Sequence, residues 1–352
     1  SGLSNINFQL GAANTLGGPL NDRVVVTGGL VLDGLLNVTE TVGGAFTLGI
    51  YNLFSYGTSF TNNGLLINGG LPNGLTGSIQ HNGAAQQVNL VVAGPDSIVM
   101  NWDGTDFTAA VPGGQGGNGV WNAANTNWTG EAPGEINATW QNNAVGIFGG
   151  TGGSVDVASN FNFAGLGFQA DGYVLNDAGG SLNTNSTLGS FISVDGGLTA
   201  TINATIGGTG QLFKQGAGTL VLGGNNTLSG DVNLANGTIA VTSDTALGLG
   251  SLIVTGGTTL ASGTAPSQGT ITLANNVVLN GLLNVDLKGT TGDIAPDGTL
   301  TADGNNLVLN GTVSGAGGLS VGGFGALVLN GANTYTGGTL ATFAAIYVGT
   351  DS

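Results

Sequence analysis

From Gly216 to Leu260 the chain alternates apolar and other residues in short bursts, each bounded by Gly or Asn. Gly218-Thr219-Leu220-Val221-Leu222, Gly237-Thr238-Ile239-Ala240-Val241 and Gly257-Thr258-Thr259-Leu260-Ala261 are three versions of one phrase, returning at a nearly constant interval. A period of two marks a half-buried strand, and the flanking Gly and Asn mark turns. One strand returning at a fixed short interval is the mark of a solenoid with about one coil per repeat. The pattern therefore predicts rungs of a parallel β-helix, at roughly 20 to 25 residues per rung.

The same texture predicts strands earlier in the chain, at Ile6–Leu10, Val24–Val26, Leu30–Leu32, Leu35–Val38, Ala45–Tyr51 and Leu65–Ile67. Asn-Gly pairs at Asn63, Asn68, Asn73 and Asn82 predict tight turns between them. Gly94-Pro95 punctuates the chain, and three regions follow. Residues 1–95 read as β-helix rungs that close one module. Residues 96–153 read as a Trp-rich irregular junction with a Gly-rich loop insert, holding all 4 tryptophans, Trp102, Trp121, Trp128 and Trp140. Residues 154–352 return to strands and turns. The bulky rings either fill a wider rung or offer their faces as a sugar-stacking platform.

A larger repeat lies in the third region. Ile206–Gly210 and Gly218–Gly230 recur as Val313–Gly317 and Gly325–Gly337, both displaced along the chain by the same offset. Leu220-Val221-Leu222 becomes Leu327-Val328-Leu329, and Asn226-Thr227-Leu228-Ser229-Gly230 becomes Asn333-Thr334-Tyr335-Thr336-Gly337. These residues resemble the passenger-associated transport repeat of bacterial autotransporters, roughly G-x-G-x-L-x-K-x-G-x-G-T-L-x-L-x-G-x-N-T-Y-x-G followed by G-T-L-x-V and A-L-G. The first copy, 206–260, carries Lys214, Asn226-Thr227 and Ala246-Leu247-Gly248 but has Leu228 where Tyr is usual. The second, 313–352, restores Tyr335, puts Val321 at the Lys position and Ala344 where Gly237 stood, and is truncated. The resemblance implies an exported, cell-surface, right-handed parallel β-helix (β-solenoid), all-β, as a single elongated rod with loop insertions.

Composition narrows the picture. Gly numbers 70, about three times average usage, yet 40% of residues are hydrophobic, which argues against disorder. What remains is a β protein of many tight turns, since Gly takes positive φ freely. Only 3 residues are Lys or Arg against 19 acids, a net charge of −16. Arg23, Lys214 and Lys288 form no basic footprint, which excludes nucleic-acid partners. Cysteine is absent, so no thiolate site exists. No apolar run reaches the length of a membrane span. The opening Ser-Gly-Leu-Ser-Asn reads as a mature fragment, and no closing series of barrel strands is expected.

Candidate chemistry is sparse. His81, the one histidine, sits in Gln80-His81-Asn82-Gly83 and reads as an exposed turn residue, so a Ser-His-Asp triad is not expected. Carboxylate pairs for glycoside hydrolysis would be Asp103 with Asp106, or Glu131 with Glu135, all read as solvated loop residues. Asp293, Asp297 and Asp303 lie in a Gly-rich loop whose oxygens could gather around Ca²⁺, the one cofactor considered.

Three functions follow. The first is a structural surface fibre or matrix protein, non-enzymatic, stacking on copies of itself end to end. In support, Val348–Ser352 matches Val241–Thr245, which continues with a turn and a strand, and Ser1–Leu10 would supply both. The second is an autotransporter-type adhesin that binds glycans or host surfaces. The third, a polysaccharide-active enzyme, has the least support.

Overall fold

A computed structural model of the chain describes residues 4–13, 17–47, 49–82, 86–93, 99–106, 114–129, 138–185, 188–294 and 300–349. Their regular structure is β-strand, apart from one 3-10 turn at Pro72–Gly74. The chain divides into two compact units, Ser1–Val99 with Asn143–Val145, and Met100–Asn142 with Gly146–Ser352.

In the first unit Asn5–Ala12, Leu30–Ala45 and Phe60–Ile67 stack as a three-stranded parallel sheet. Asn5 faces Leu35 and Leu30 faces Phe60, so these coils are longer than the repeat phrases predict. Phe8, Leu10, Leu32, Leu36 and Leu65 point inward and are buried. The two strands expected at Leu30–Leu32 and Leu35–Val38 are one strand with a bulge, where Asp33 stands against the pair Asn63-Gly64. Asn63-Gly64 therefore lies within a strand and is not a turn. Gly64 takes φ +111° there, and Asn62 Oδ1 accepts the amides of Gly64 and Leu65. In-register stacking also places like side chains above one another: Asn68 Nδ2 donates to Asn37 Oδ1 (2.7 Å), and Asn37 Nδ2 to Asn7 Oδ1 (2.8 Å).

The other sheet of this unit departs from the solenoid pattern. Val24–Val26 pairs in parallel with Gly49–Tyr56, which runs antiparallel to Gln87–Ala93, itself antiparallel to Thr76–Asn82. A connection as short as 83–86 permits only antiparallel return. His81 thus lies within a strand, opposite Val88, and not in a turn.

The second unit is a parallel β-helix. Its first sheet stacks Asn160–Phe168, Ser190–Val194, Leu212–Gln215, Val232–Leu234, Leu252–Val254, Val277–Leu279 and Val313–Gly315 in turn. Its second stacks Ser154–Val157, Tyr173–Asp177, Thr199–Ile202, Thr219–Leu222, Thr238–Val241, Thr258–Ser262, Leu283–Asp286, Leu319–Gly322 and Thr339–Thr342. A third takes Thr270–Leu273, Asn306–Leu309, Ala326–Leu329 and Ala345–Val348. Inward Leu220, Leu222, Ile239, Val241 and Leu260 are almost fully buried, each contributing ~1.5–3 kcal/mol.

Two expectations shift here. Thr219 faces Thr238, its counterpart in the next phrase, but Thr238 faces Thr259 and Ile239 faces Leu260. The third phrase is slipped by one position. With a side-chain period of two, the unslipped register would set Thr259 rather than Leu260 over Ile239, so the apolar column decides. The second shift concerns the larger repeat. Leu212–Gln215 and Thr219–Leu222 occupy the first and second sheets, whereas their counterparts Leu319–Gly322 and Ala326–Leu329 occupy the second and third. The two copies are the same local structure turned by one face of the coil. Unequal coils make this possible. Leu212 faces Val232 across a short coil, whereas Val277 faces Val313 across a much longer one that includes the hairpin Gly292–Ile294/Leu300–Ala302.

Candidate functional site

The repeat is built around its asparagine. Asn226 sits in the turn after Thr219–Leu222, 3% exposed. Its Oδ1 accepts the amide of Ile206 (2.7 Å), one coil back, and its Nδ2 donates to the carbonyl of Ala246 (2.6 Å), one coil on. One side chain thus ties three successive coils. Leu228, Ala246 and Leu247 fill the side of the coil that carries no strand, and all are buried. In the second copy Asn333 Oδ1 accepts the amide of Val313 (2.9 Å). The backbone bonds match as well, Thr227 to Ile206 and Ser229 to Gly208 becoming Thr334 to Val313 and Thr336 to Gly315. The equal spacing of Ile206, Asn226 and Ala246 was visible in the sequence; the bonds that give it meaning were not.

Lys214 occupies an inward position and is fully buried. Its ammonium donates to the carbonyls of Gln215 (2.7 Å), Gly216 (2.8 Å) and Asn236 (3.1 Å), bracing the turn that carries Gly216 to the turn one coil on. Burial pulls its pKa down to about 7. At the equivalent inward position Val321 needs no such partners and is 1% exposed.

The tryptophans are core. Trp102, Trp121 and Trp128 are 0% exposed and Trp140 is 7% exposed. Trp121 and Trp128 pack edge-on at 4.9 Å, Trp128 and Trp140 lie tilted at 4.7 Å, and Trp121 stacks on Phe161 at 4.9 Å. Trp102 Nε1 donates to Gly117 O and Trp140 Nε1 to Asn162 O. In the folded unit these rings offer no open face for a sugar to stack on, so the structure supports the rung-filling reading.

Aromatic groups at the surface lie elsewhere: Phe343 and Tyr347 of the second unit are 69% and 55% exposed, and the first unit has a cluster around His81. His81 is exposed and stacks on Phe60, ring centres 4.0 Å apart, while its Nε2 lies 2.6 Å from Tyr56 Oη. Partial burial holds the imidazole below its usual pKa. The sequence hid this group, because Tyr56 and Phe60 end and begin different strands and His81 arrives by antiparallel pairing.

The carboxylates have structural work. Asp103, expected in a solvated loop, is 1% exposed and accepts the Gln115 amide (2.7 Å), while Asp106 accepts from the Gln115 side chain (3.1 Å). Asp303 accepts the amides of Thr290 and Thr291 and the Thr290 hydroxyl; these bonds, that of Thr291 foremost, hold its pKa below the usual range. Asp293 is described only as strand backbone opposite Thr301, and Asp297, Glu131 and Glu135 lie outside the described residues. Among the described residues no group of three His, Cys, Asp or Glu could hold a metal ion. A small cleft of about 180 Å³ is lined by Thr242, Ser262, Gln268, Ile271 and Asn305.

Comparison with known proteins accords with this geometry. The family model described as Passenger-associated-transport-repeat matches residues 212–241 and 322–341, the two copies found above. The chain is similar to the Adhesin BmaC autotransporter of Brucella suis biovar 1 (strain 1330), 37% identical over 374 aligned residues. That alignment covers 97% of this chain and 10% of the relative, so the chain spans about a tenth of the relative's length. No solved structure matches. The chain is a stretch of autotransporter passenger, an exported cell-surface β-helix that carries two passenger-associated transport repeats.

Proposed function

We propose that this passenger stretch serves in adhesion, as part of a surface protein that holds the cell to glycans or host surfaces without enzymatic turnover. The likeness to an autotransporter named as an adhesin, over 97% of the chain, carries this reading. It is favoured over a purely structural fibre because the likeness runs through both units, including the first with its exposed aromatic group. A β-helix buries its apolar column and leaves the outer surface free to vary, which suits presentation of contact residues. Glycan contact then falls to Phe60 and His81 rather than to the tryptophans. One ring edge and one imidazole at the surface offer an apolar face beside a hydrogen-bonding group.

The test is adherence of beads coated with the chain to cultured epithelial cells, together with binding to a glycan array. Adherence above that of uncoated beads, reduced by Phe60→Ala or His81→Ala, is the expected result. Beads that do not adhere, from a chain that instead grows into rods by electron microscopy, would favour the fibre.

A further inference from the structure

Asn236-Gly237 forms the turn between Val232–Leu234 and Thr238–Val241, the turn that Lys214 braces. Glycine is required at 237, where φ is +70° and a Cβ would stand 2.5 Å from the carbonyl oxygens of Gly216 and Gly218. The flanking amides are tied into the preceding coil, Ala235 N to Lys214 O and Thr238 N to Gly218 O. The Gly237 amide is instead given to Oδ1 of Asn236, at 2.8 Å. That bond holds the nitrogen beside the carboxamide carbon of Asn236, and the glycine has no side chain to shield it. Both residues are half-buried, so water reaches them. Other Asn-Gly pairs are arranged differently. Asn118 Oδ1 accepts the Ser154 amide, Asn310 Oδ1 accepts from Asn330, and Gly64 gives its amide to Asn62. In the second copy of the repeat Phe343-Ala344 stands in place of the pair.

We propose that Asn236-Gly237 is a self-modifying site, at which Asn236 passes through a cyclic imide to aspartate or isoaspartate and sets an anion beside the buried Lys214. The Gly237 nitrogen gives its proton to solvent and bonds to Asn236 Cγ. The Cγ–Nδ2 bond breaks, and Nδ2 leaves as ammonia with a proton from water. A water molecule then opens the imide at either of its carbonyl carbons, so the step needs no oxidant or reductant. Two features favour it. The reacting atoms are already adjacent, which replaces a search through conformations by a near-attack geometry. The Lys214 ammonium also donates to the Asn236 carbonyl (3.1 Å), which draws electrons from that peptide group and favours the deprotonated nitrogen. The carboxylate that results lies next to the one buried ammonium of the chain and stabilises its charge. None of this depends on the adhesion reading.

The test keeps the folded chain in heavy-oxygen water near neutral pH and maps the Asn-Gly peptides by mass spectrometry. Heavy oxygen should enter residue 236 about tenfold or more faster than Asn118 or Asn310. In the urea-unfolded chain the three should react at similar rates, because only the fold distinguishes them. Asn236→Gln, whose longer side chain disfavours the ring, should remove the product while amide exchange at 219–241 stays slow. In the reacted chain the rise of stability with pH above about pH 7 should shrink, since the new carboxylate helps Lys214 keep its proton. Residue 236 reacting no faster than Asn118 and Asn310 in the folded chain overturns the site. An unchanged pH profile after reaction overturns the pairing with Lys214.

Discussion

Lys214 stands where an apolar residue would serve, as Val321 does in the second copy, and it satisfies three carbonyls that would otherwise be stranded by the turn. Its protonation couples to folding. The unfolded lysine, near 10.5, holds its proton more tightly than the buried one, at about 7. Between those values the unfolded chain binds more protons, so stability rises as pH climbs through the window and gains nothing below it. Urea titrations from about pH 7 to about 9.5 should show this rise, and Lys214→Met should flatten it. Above about pH 10 the sign reverses, because burial raises the pKa of Tyr51 and Tyr173 and the unfolded tyrosines ionise first. Gly237 makes a second residue-scale case. It has φ +70°, and a Cβ there would lie 2.5 Å from the carbonyl oxygens of Gly216 and Gly218. Gly257 has φ +67° but open space around it. Gly257→Ala should cost only the left-handed strain, ~1–2 kcal/mol, and Gly237→Ala clearly more, read from urea midpoints. In the second copy the left-handed residue is Phe343, φ 55°, one position earlier than the counterpart of Gly237.

At the scale of elements, strands were legible and their partners were not. Alternation marks Leu220, Leu222, Ile239 and Val241 as inward, and all four are buried. Alternation cannot count the residues between phrases, which is why the slip that sets Leu260 over Ile239 had to come from packing. Nor could it separate parallel from antiparallel return around Gln87–Ala93. The turn of the larger repeat by one face was hidden too, since a constant offset in sequence says nothing of how many strands the intervening coils hold. The tryptophans were visible as a cluster, but exposure is a property of the packed unit. Trp128 touches Trp102, Trp121, Trp140 and Phe148. Trp128→Ala should therefore cost ~3–5 kcal/mol as a large core truncation, with tryptophan fluorescence shifting red as water enters. Binding to the glycan array, measured where the variant remains folded, should not change. A loss of glycan binding without loss of stability would return the ring to a ligand role.

Over the whole molecule the charge decides what kind of contact is possible. The chain carries −16, and its three cations are engaged within it. Arg23 donates to Asn52 Oδ1 and Ser55 Oγ, Lys214 is buried on carbonyls, and Lys288 pairs with Asp286 at 2.8 Å. If the chain adheres to a host surface as proposed above, the net charge of −16 sets long-range electrostatics against a net-negative partner, and attachment has to come from short-range apolar and hydrogen-bonded contact. Salt should then help rather than hinder. Raising ionic strength from about 20 to about 150 mM shortens the screening length to about 8 Å, and attachment of coated beads should quicken. Enzymatic removal of sialic acid should quicken it in the same way and weaken the salt dependence. Attachment that slows with salt would mean that the partner is basic, and attachment lost on desialylation would make sialic acid itself a ligand. The first result would move the contact away from Phe60 and His81 and onto acidic side chains; the second would not, since carboxylates repel an anionic sugar.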